Sequence, residues 1–195
     1  MSYPIVLDVR GRSCLVVGSG SAADGKARGL RDEGAVVDQL AAAEYTAEAL
    51  DGRWLVVAAA GDAALHRRIR DDCDRRGIWL NASDDPANCS ATLPAVLRRG
   101  VVAVAVSTDG TSPALASWLR DLLAEEVGDE VGTLARILGS AREALRSRGV
   151  ATEGLPWRRA LDGGLLDLVR EGRDDEARAL LREVLGIGEE VTAWR

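Results

Sequence analysis

The feature that most constrains this chain is a glycine turn, Gly18-Ser19-Gly20-Ser21-Ala22-Ala23, set between a short apolar run and an amphipathic segment. Residues 12–17 read Arg-Ser-Cys-Leu-Val-Val, which suits a strand buried on both faces of a parallel sheet. From Ser21 to Glu33 the residues Ala23, Ala27 and Leu30 recur at helical spacing, and Gly34 ends the pattern. Strand, G-x-G-x-x-A and helix in this order form the dinucleotide fingerprint. The first glycine permits the tight turn, the second lets backbone approach a pyrophosphate, and the helix N-terminus offers amide donors and a positive dipole. Gly18, Ser19, Gly20, Ser21, Ala22 and Ala23 are therefore candidate cofactor-binding residues; a ligand-free strand-to-helix turn fits the same pattern. An acid for the ribose is expected about twenty residues further on, where Asp38 stands. Strand alternation equally allows Asp38 to face solvent.

The alternation continues. Ala35–Leu40 reads as a second strand, Trp54–Ala60 as a third, Asp62–Arg75 as a helix and Gly77–Leu80 as a fourth strand. This succession predicts a Rossmann-like α/β domain with a parallel sheet. The thirteen residues Ala41–Arg53 barely suffice for a crossover, so the strand that normally lies at the sheet edge is expected to be missing, leaving a trimmed 2-1-4-5 order. After Asn81 the character changes. Asp84-Asp85-Pro86 is turn-like, Leu93–Val96 is apolar and Val101–Thr108 is a β-branched run outside the α/β domain that needs pairing partners. Helices are predicted from Ser112-Pro113, over Asp129–Arg148, Leu165–Arg170 and Asp174–Leu185, and the tail from Gly186 reads as loose.

Composition excludes several classes. No apolar run approaches the roughly eighteen residues that suggest a membrane span, and residues 1–10 show no basic region followed by an apolar one, so a cytoplasmic location without membrane association is expected. Cys14, Cys73 and Cys89 are odd in number and lack C-x-x-C spacing, which predicts free thiols and no bound metal. A net charge of −6 disfavours nucleic acid as partner. Lys26 is the only lysine among 25 basic residues, and Arg98-Arg99 either grips an acidic ligand or forms a solvated turn. His66, beside Arg67 and Arg68, reads as a surface or half-buried side chain with no metal ligand at suitable spacing. Asp84 and Asp85 follow the fourth strand, at the end of an open α/β sheet where ligands bind; they suit a base or metal contact, or simply a turn.

In sequence order, Tyr3-Pro4-Ile5-Val6-Leu7-Asp8-Val9-Arg10-Gly11-Arg12, the glycine turn, Lys26-Ala27-Arg28, Asn81-Ala82-Ser83-Asp84-Asp85-Pro86, Leu93-Pro94-Ala95, Arg98-Arg99-Gly100 and Gly110-Thr111-Ser112-Pro113-Ala114-Leu115-Ala116 resemble the precorrin-2 dehydrogenase/sirohydrochlorin ferrochelatase family of siroheme synthases. The resemblance implies an NAD domain over 1–85, a central dimerisation segment over 86–113 and a C-terminal helical domain over 114–195, assembled as a homodimer. It implies oxidation of precorrin-2 by NAD to sirohydrochlorin, with insertion of ferrous iron (Fe2+) as a second reaction. Asp84 matches the family's general base, and Ala42, Ala43, Ala59 and Ala60 would complete the cofactor surface. A tetrapyrrole carries many carboxylates, so Arg98, Arg99 and Arg120, with Thr108 and Ser112, are candidate substrate contacts. The same residues leave open a chelatase alone, a repurposed relative, or a non-enzymatic nucleotide- or tetrapyrrole-binding module.

Overall fold

A computed structural model describes residues 2–187; most of the tail read as loose lies outside the described residues. The chain divides into two compact units, one running to Leu93 and including Ser107–Ser112, the other comprising Pro94–Val106 and the chain from Pro113 onward.

In the first unit, β1 (Ser13–Val17), β2 (Val36–Leu40), β3 (Leu55–Ala58) and β4 (Trp79–Ala82) form a parallel sheet in the order β2-β1-β3-β4. This is the trimmed arrangement expected from the short Ala41–Arg53 segment, which holds only two short 3-10 turns, Ala42–Glu44 and Ala47–Leu50. The central strands are apolar from Cys14 to Val17 and from Leu55 to Ala58 because both faces are covered. On one face Val16 and Val57 meet Ala23 and Ala27 of α1 (Ser21–Asp32). On the other, Leu15, Val17, Val56 and Leu80 meet Ile69 and Cys73 of α2 (Ala63–Arg76), together with Tyr45 and Leu50 from the short crossover. Tyr45 locks that crossover down by donating its buried hydroxyl to Asp72 Oδ2 at 2.9 Å. The loss of the usual edge strand leaves β2 with one open side, where Arg31 donates to Val37 O at 3.2 Å.

In the second unit, β5 (Ala95–Arg99) pairs antiparallel with β6 (Val102–Val106). The β-branched run expected to need pairing partners thus finds its ladder partner in the same chain, across the Gly100-Val101 turn. Helices α3 (Pro113–Glu126) and α4 (Glu130–Arg146) follow, then α5 (Trp157–Ala160), α6 (Leu166–Arg170) and α7 (Asp174–Leu185). Gly164, at φ 95°, breaks the run between α5 and α6. Leu134, Ile137, Ala141 and Leu145 of α4 pack with Leu165, Val169, Ala177 and Leu181 into one helical core. At the hairpin turn, Gly132 of α4 approaches so closely that a Cβ there would lie 2.8 Å from Arg99 O.

Candidate functional site

The two glycines of the fingerprint serve different ends. Gly18 leaves β1 at φ 146°, and a Cβ on it would lie 2.3 Å from Ala59 O and 3.3 Å from Ala60 N. The neighbouring backbone is held there because Ala59 N donates to Val17 O at 2.7 Å and Gly18 N to Leu40 O at 2.8 Å. Gly18, Ala59 and Ala60 are thereby brought together at the carboxyl ends of β1 and β3. Gly20, at φ 84°, caps α1 without a side-chain hydrogen bond, and nothing lies within 4 Å of where its Cβ would be. Ser19, Gly20, Ser21 and Ala22 are exposed, whereas Ala23 is buried against the sheet. The first amides of a helix have no intrahelical acceptor, so this turn offers donors, a positive dipole and open room beside a glycine. These are the features a dinucleotide pyrophosphate requires, and the residues fit such a cofactor.

Asp38 is not brought to this turn. It lies in register with Leu15, three residues below Gly18, or about 10 Å along the strand. Its carboxylate is ion-paired with Arg53 at 2.5 Å, and Arg53 is itself fixed by Ser13 Oγ at 2.9 Å and Ala49 O at 3.1 Å. Ala42 and Ala43 do follow the carboxyl end of β2, in a turn where Glu44 Oε2 accepts from Ala41 N at 2.9 Å. The β2 residue that reaches the glycine turn is Gln39, which donates to Gly18 O at 3.3 Å and Asp24 Oδ1 at 2.9 Å.

Beyond β4, the adjacent aspartates separate. Asp85 is held: its Oδ2 accepts from Asn88 Nδ2 at 2.7 Å and lies 3.2 Å from His66 Nδ1. The Asn88 hydrogen bond first, and the His66 contact after it, keep the Asp85 carboxyl below the usual carboxylate range. A carboxylate only accepts, so His66 Nδ1 carries the hydrogen. Cys89 Sγ closes the turn by donating to Ala82 O at 3.2 Å and accepting from Ala82 N at 3.1 Å. Burial pushes its thiol up. Asp84 is exposed in the left-handed region at φ 59°, with no hydrogen bond or ion pair to its carboxylate among the described residues.

His66 is only 2% exposed, more deeply buried than the surface or half-buried position expected for it. Asp62 caps α2 through Ala64 N and Leu65 N, which places His66, Ile69 and Cys73 on the face that covers the sheet. That i, i+3, i+7 spacing is visible in the sequence; the neighbouring arginines obscured it. His66 Nε2 and Ser83 Oγ are buried without partners among the described residues.

The Thr108–Ser112 loop joins this region. Thr108 Oγ1 accepts from Ser112 N and donates to Ser112 O, both at 3.0 Å. A Cβ on Gly110 would lie 3.6 Å from Pro86 Cβ, so the loop packs beside the turn bearing Asp84. The candidate arginines belong to the second unit. Arg99 donates to Val127 O at 2.8 Å and Ala124 O at 3.2 Å, a structural cap on the end of α3. Arg120 donates through both Nε and Nη2 to Asp121 Oδ1, and Arg98 is exposed on β5. Among the described residues no group of three or more His, Cys, Asp or Glu is placed to hold a metal ion, and no helix is long and apolar enough to cross a membrane.

Comparison with known proteins adds the following. A family model described as "Putative NAD(P)-binding" matches residues 5–95, and one described as "Sirohaem biosynthesis protein central" matches residues 99–126. The siroheme synthase of Photorhabdus laumondii is 31% identical over 207 residues, covering 95% of this chain and 44% of its own length. That of Methylococcus capsulatus is 32% identical over 224 residues, covering 100% of this chain and 46% of its own length. The chain thus spans less than half the length of these relatives. Among solved structures, the precorrin-2 dehydrogenase SirC aligns with a TM-score of 0.70 at 23% identity, covering 94% of this chain and 98% of that one; at that identity the likeness establishes the fold.

Proposed function

Because the chain belongs to the siroheme synthase/precorrin-2 dehydrogenase family, we propose that it oxidises precorrin-2 to sirohydrochlorin with NAD and then accepts ferrous iron as a substrate to give siroheme. The observation that carries this reading is the placing of two unlike sites on one sheet end. The open glycine turn follows β1 and the exposed Asp84 turn follows β4; with only β3 between them, the strands lie about 10 Å apart.

Ser19, Gly20, Ser21 and Ala22 hold the pyrophosphate at the N-terminus of α1, Gly18 makes the tight turn, Ala23 seats the helix on the sheet, and Ala42, Ala43, Ala59 and Ala60 form the apolar surround. When bound, NAD supplies the hydride acceptor. Asp84 accepts the accompanying proton at a carboxylate oxygen, and in the second reaction takes up protons released from the macrocycle nitrogens. Asp85 holds the turn from below through His66 and Asn88, leaving Asp84 facing solvent. Thr108 and Ser112 border the same turn, and Arg98, Arg99 and Arg120 are the carboxylate-binding candidates, of which Arg99 also holds the end of α3 and Arg120 also pairs with Asp121.

In this reading residues 1–85 hold the cofactor, 86–113 build a homodimer and 114–195 form the helical domain. Support for the dimer comes from the second unit alone, where Val101 and Trp118 are 76% and 60% exposed. The reaction belongs in the cytoplasm, where the three free thiols would remain reduced.

The test is anaerobic incubation with precorrin-2 and NAD, followed by absorbance, with ferrous iron added afterwards. Stoichiometric NADH and sirohydrochlorin are expected, then the siroheme spectrum. The shortened Ala41–Arg53 segment, which contains Ala42 and Ala43, favours one other reading, a chelatase that no longer oxidises. Metal insertion into supplied sirohydrochlorin without any NADH from precorrin-2 selects it.

A further inference from the structure

The first turn of α1 contains an acid, Asp24, on the helix end that the functional reading above assigns to an anionic pyrophosphate. A carboxylate there competes with the ligand for the same positive dipole and amides. The structure shows how this conflict is managed. Gln39 reaches up from edge strand β2, and its amide nitrogen lies 2.9 Å from Asp24 Oδ1 and 3.3 Å from Gly18 O. Both partners are acceptors, so the amide must present its nitrogen and its orientation is fixed by chemistry. The half-buried side chain therefore joins three pieces of backbone: the end of β2, the carbonyl of the first fingerprint glycine, and the first turn of α1. Gly18 N donates to Leu40 O at 2.8 Å, so consecutive residues of β2 grip both the amide and the carbonyl of Gly18.

We propose that Gln39 is a positioning residue for the dinucleotide site: it fixes the Gly18 carbonyl and draws the Asp24 carboxylate toward β2, away from the amides that receive the pyrophosphate. This rests on the dinucleotide-binding reading. With an apolar side chain at position 39, the carboxylate is released and the glycine turn loses an anchor. Binding weakens for both reasons, and only the first can be reversed by removing the charge at Asp24.

The test uses the full chain with NAD as probe, in a double-mutant cycle of Gln39→Leu and Asp24→Asn read by calorimetry. Gln39→Leu should raise Kd about tenfold, the effect of losing one hydrogen bond to a charged group. In the unmodified background Asp24→Asn should tighten binding about twofold, and in the Gln39→Leu background about fivefold or more, because the carboxylate is no longer drawn aside. Equal factors in both backgrounds would overturn the proposal, since a residue that merely supports the fold gives additive effects.

A second readout needs no cofactor. Hydrogen exchange at Gly18 and at residue 24, whose amides donate to Leu40 O and Gly20 O, should accelerate in Gln39→Leu while β1 and β3 keep their protection; unchanged exchange at both also overturns the proposal. Asp24 is exposed on α1, so Asp24→Ala removes the other half of the clamp without threatening the fold and should speed the same amides. If the unmodified chain binds no NAD at millimolar concentration, the dinucleotide reading fails, and these exchange measurements still decide whether the clamp exists.

Discussion

Gly18 and Gly20 both look like cofactor residues in the sequence, yet the structure predicts that alanine at the two positions fails in opposite ways. A Cβ at Gly18 would sit 2.3 Å from Ala59 O and 2.7 Å from Ala59 C. Both are backbone atoms anchored by the Ala59–Val17 hydrogen bond, so relief requires prying the end of β3 from β1. Overpacking against such a neighbour costs about 1–3 kcal/mol, and holding an L-residue at φ 146° adds about 1–3 kcal/mol. Gly18→Ala should therefore lose about 4 kcal/mol, a large part of the roughly 5–15 kcal/mol typical of a folded domain. Its unfolding midpoint should fall by about 8–16 °C. At Gly20 the space is open, and φ 84° leaves only the backbone penalty of about 1–2 kcal/mol. Its methyl group would project into the room left for a pyrophosphate, so Gly20→Ala should stay folded and weaken NAD binding at least about tenfold. Urea unfolding followed by circular dichroism, with calorimetric titration of NAD, separates the two effects. The reasoning is refuted if Gly18→Ala loses less than about 1 kcal/mol, or if Gly20→Ala is the less stable of the pair.

Asp84→Asn should keep dimerisation and tetrapyrrole binding but lose at least about a hundredfold in rate, the scale of a positioned acid–base group; a larger loss in Asp85→Asn would move the base by one residue. Tyr45→Phe should cost about 1–3 kcal/mol in urea unfolding, because it removes a donor from the buried Asp72 carboxylate. The depressed Asp85 carboxyl contributes stability that is fully present above the ordinary aspartate value of about 4 and is lost as pH falls through its lower folded value. The stability difference between Asn88→Ala and the unmodified chain should accordingly be full near neutrality and close toward acid pH; a difference that grows on acidification would contradict the assignment. Light scattering should show a dimer that Trp118→Glu converts to monomer, whereas a monomeric unmodified chain would remove the dimer from the reading.

The sequence alone determined the parts of this protein that depend on local pattern. Apolar runs, the G-x-G-x-x-A turn and the helical spacing of Ala23, Ala27 and Leu30 placed β1 and α1, and the thirteen residues between Leu40 and Trp54 were too few for another strand, which set the sheet order. The exposed Asp84 turn was legible from its position after β4. What depends on contacts between distant segments was not. The spacing that recommended Asp38 for the ribose counts residues along one strand, and cannot show that Arg53 from across the crossover takes its carboxylate. Gln39 carries no motif; its significance exists only because β1 and β2 are adjacent and bring Gly18 and Asp24 within reach of one amide. The different environments of Asp84 and Asp85 were likewise decided by His66 and Asn88, which approach Asp85 from a helix and a turn. Even the first fingerprint glycine owes its lack of a side chain to Ala59, more than forty residues away. Periodicity and turn chemistry are local properties of the chain, whereas hydrogen-bond partners and close backbone approaches arise only when the sheet has assembled.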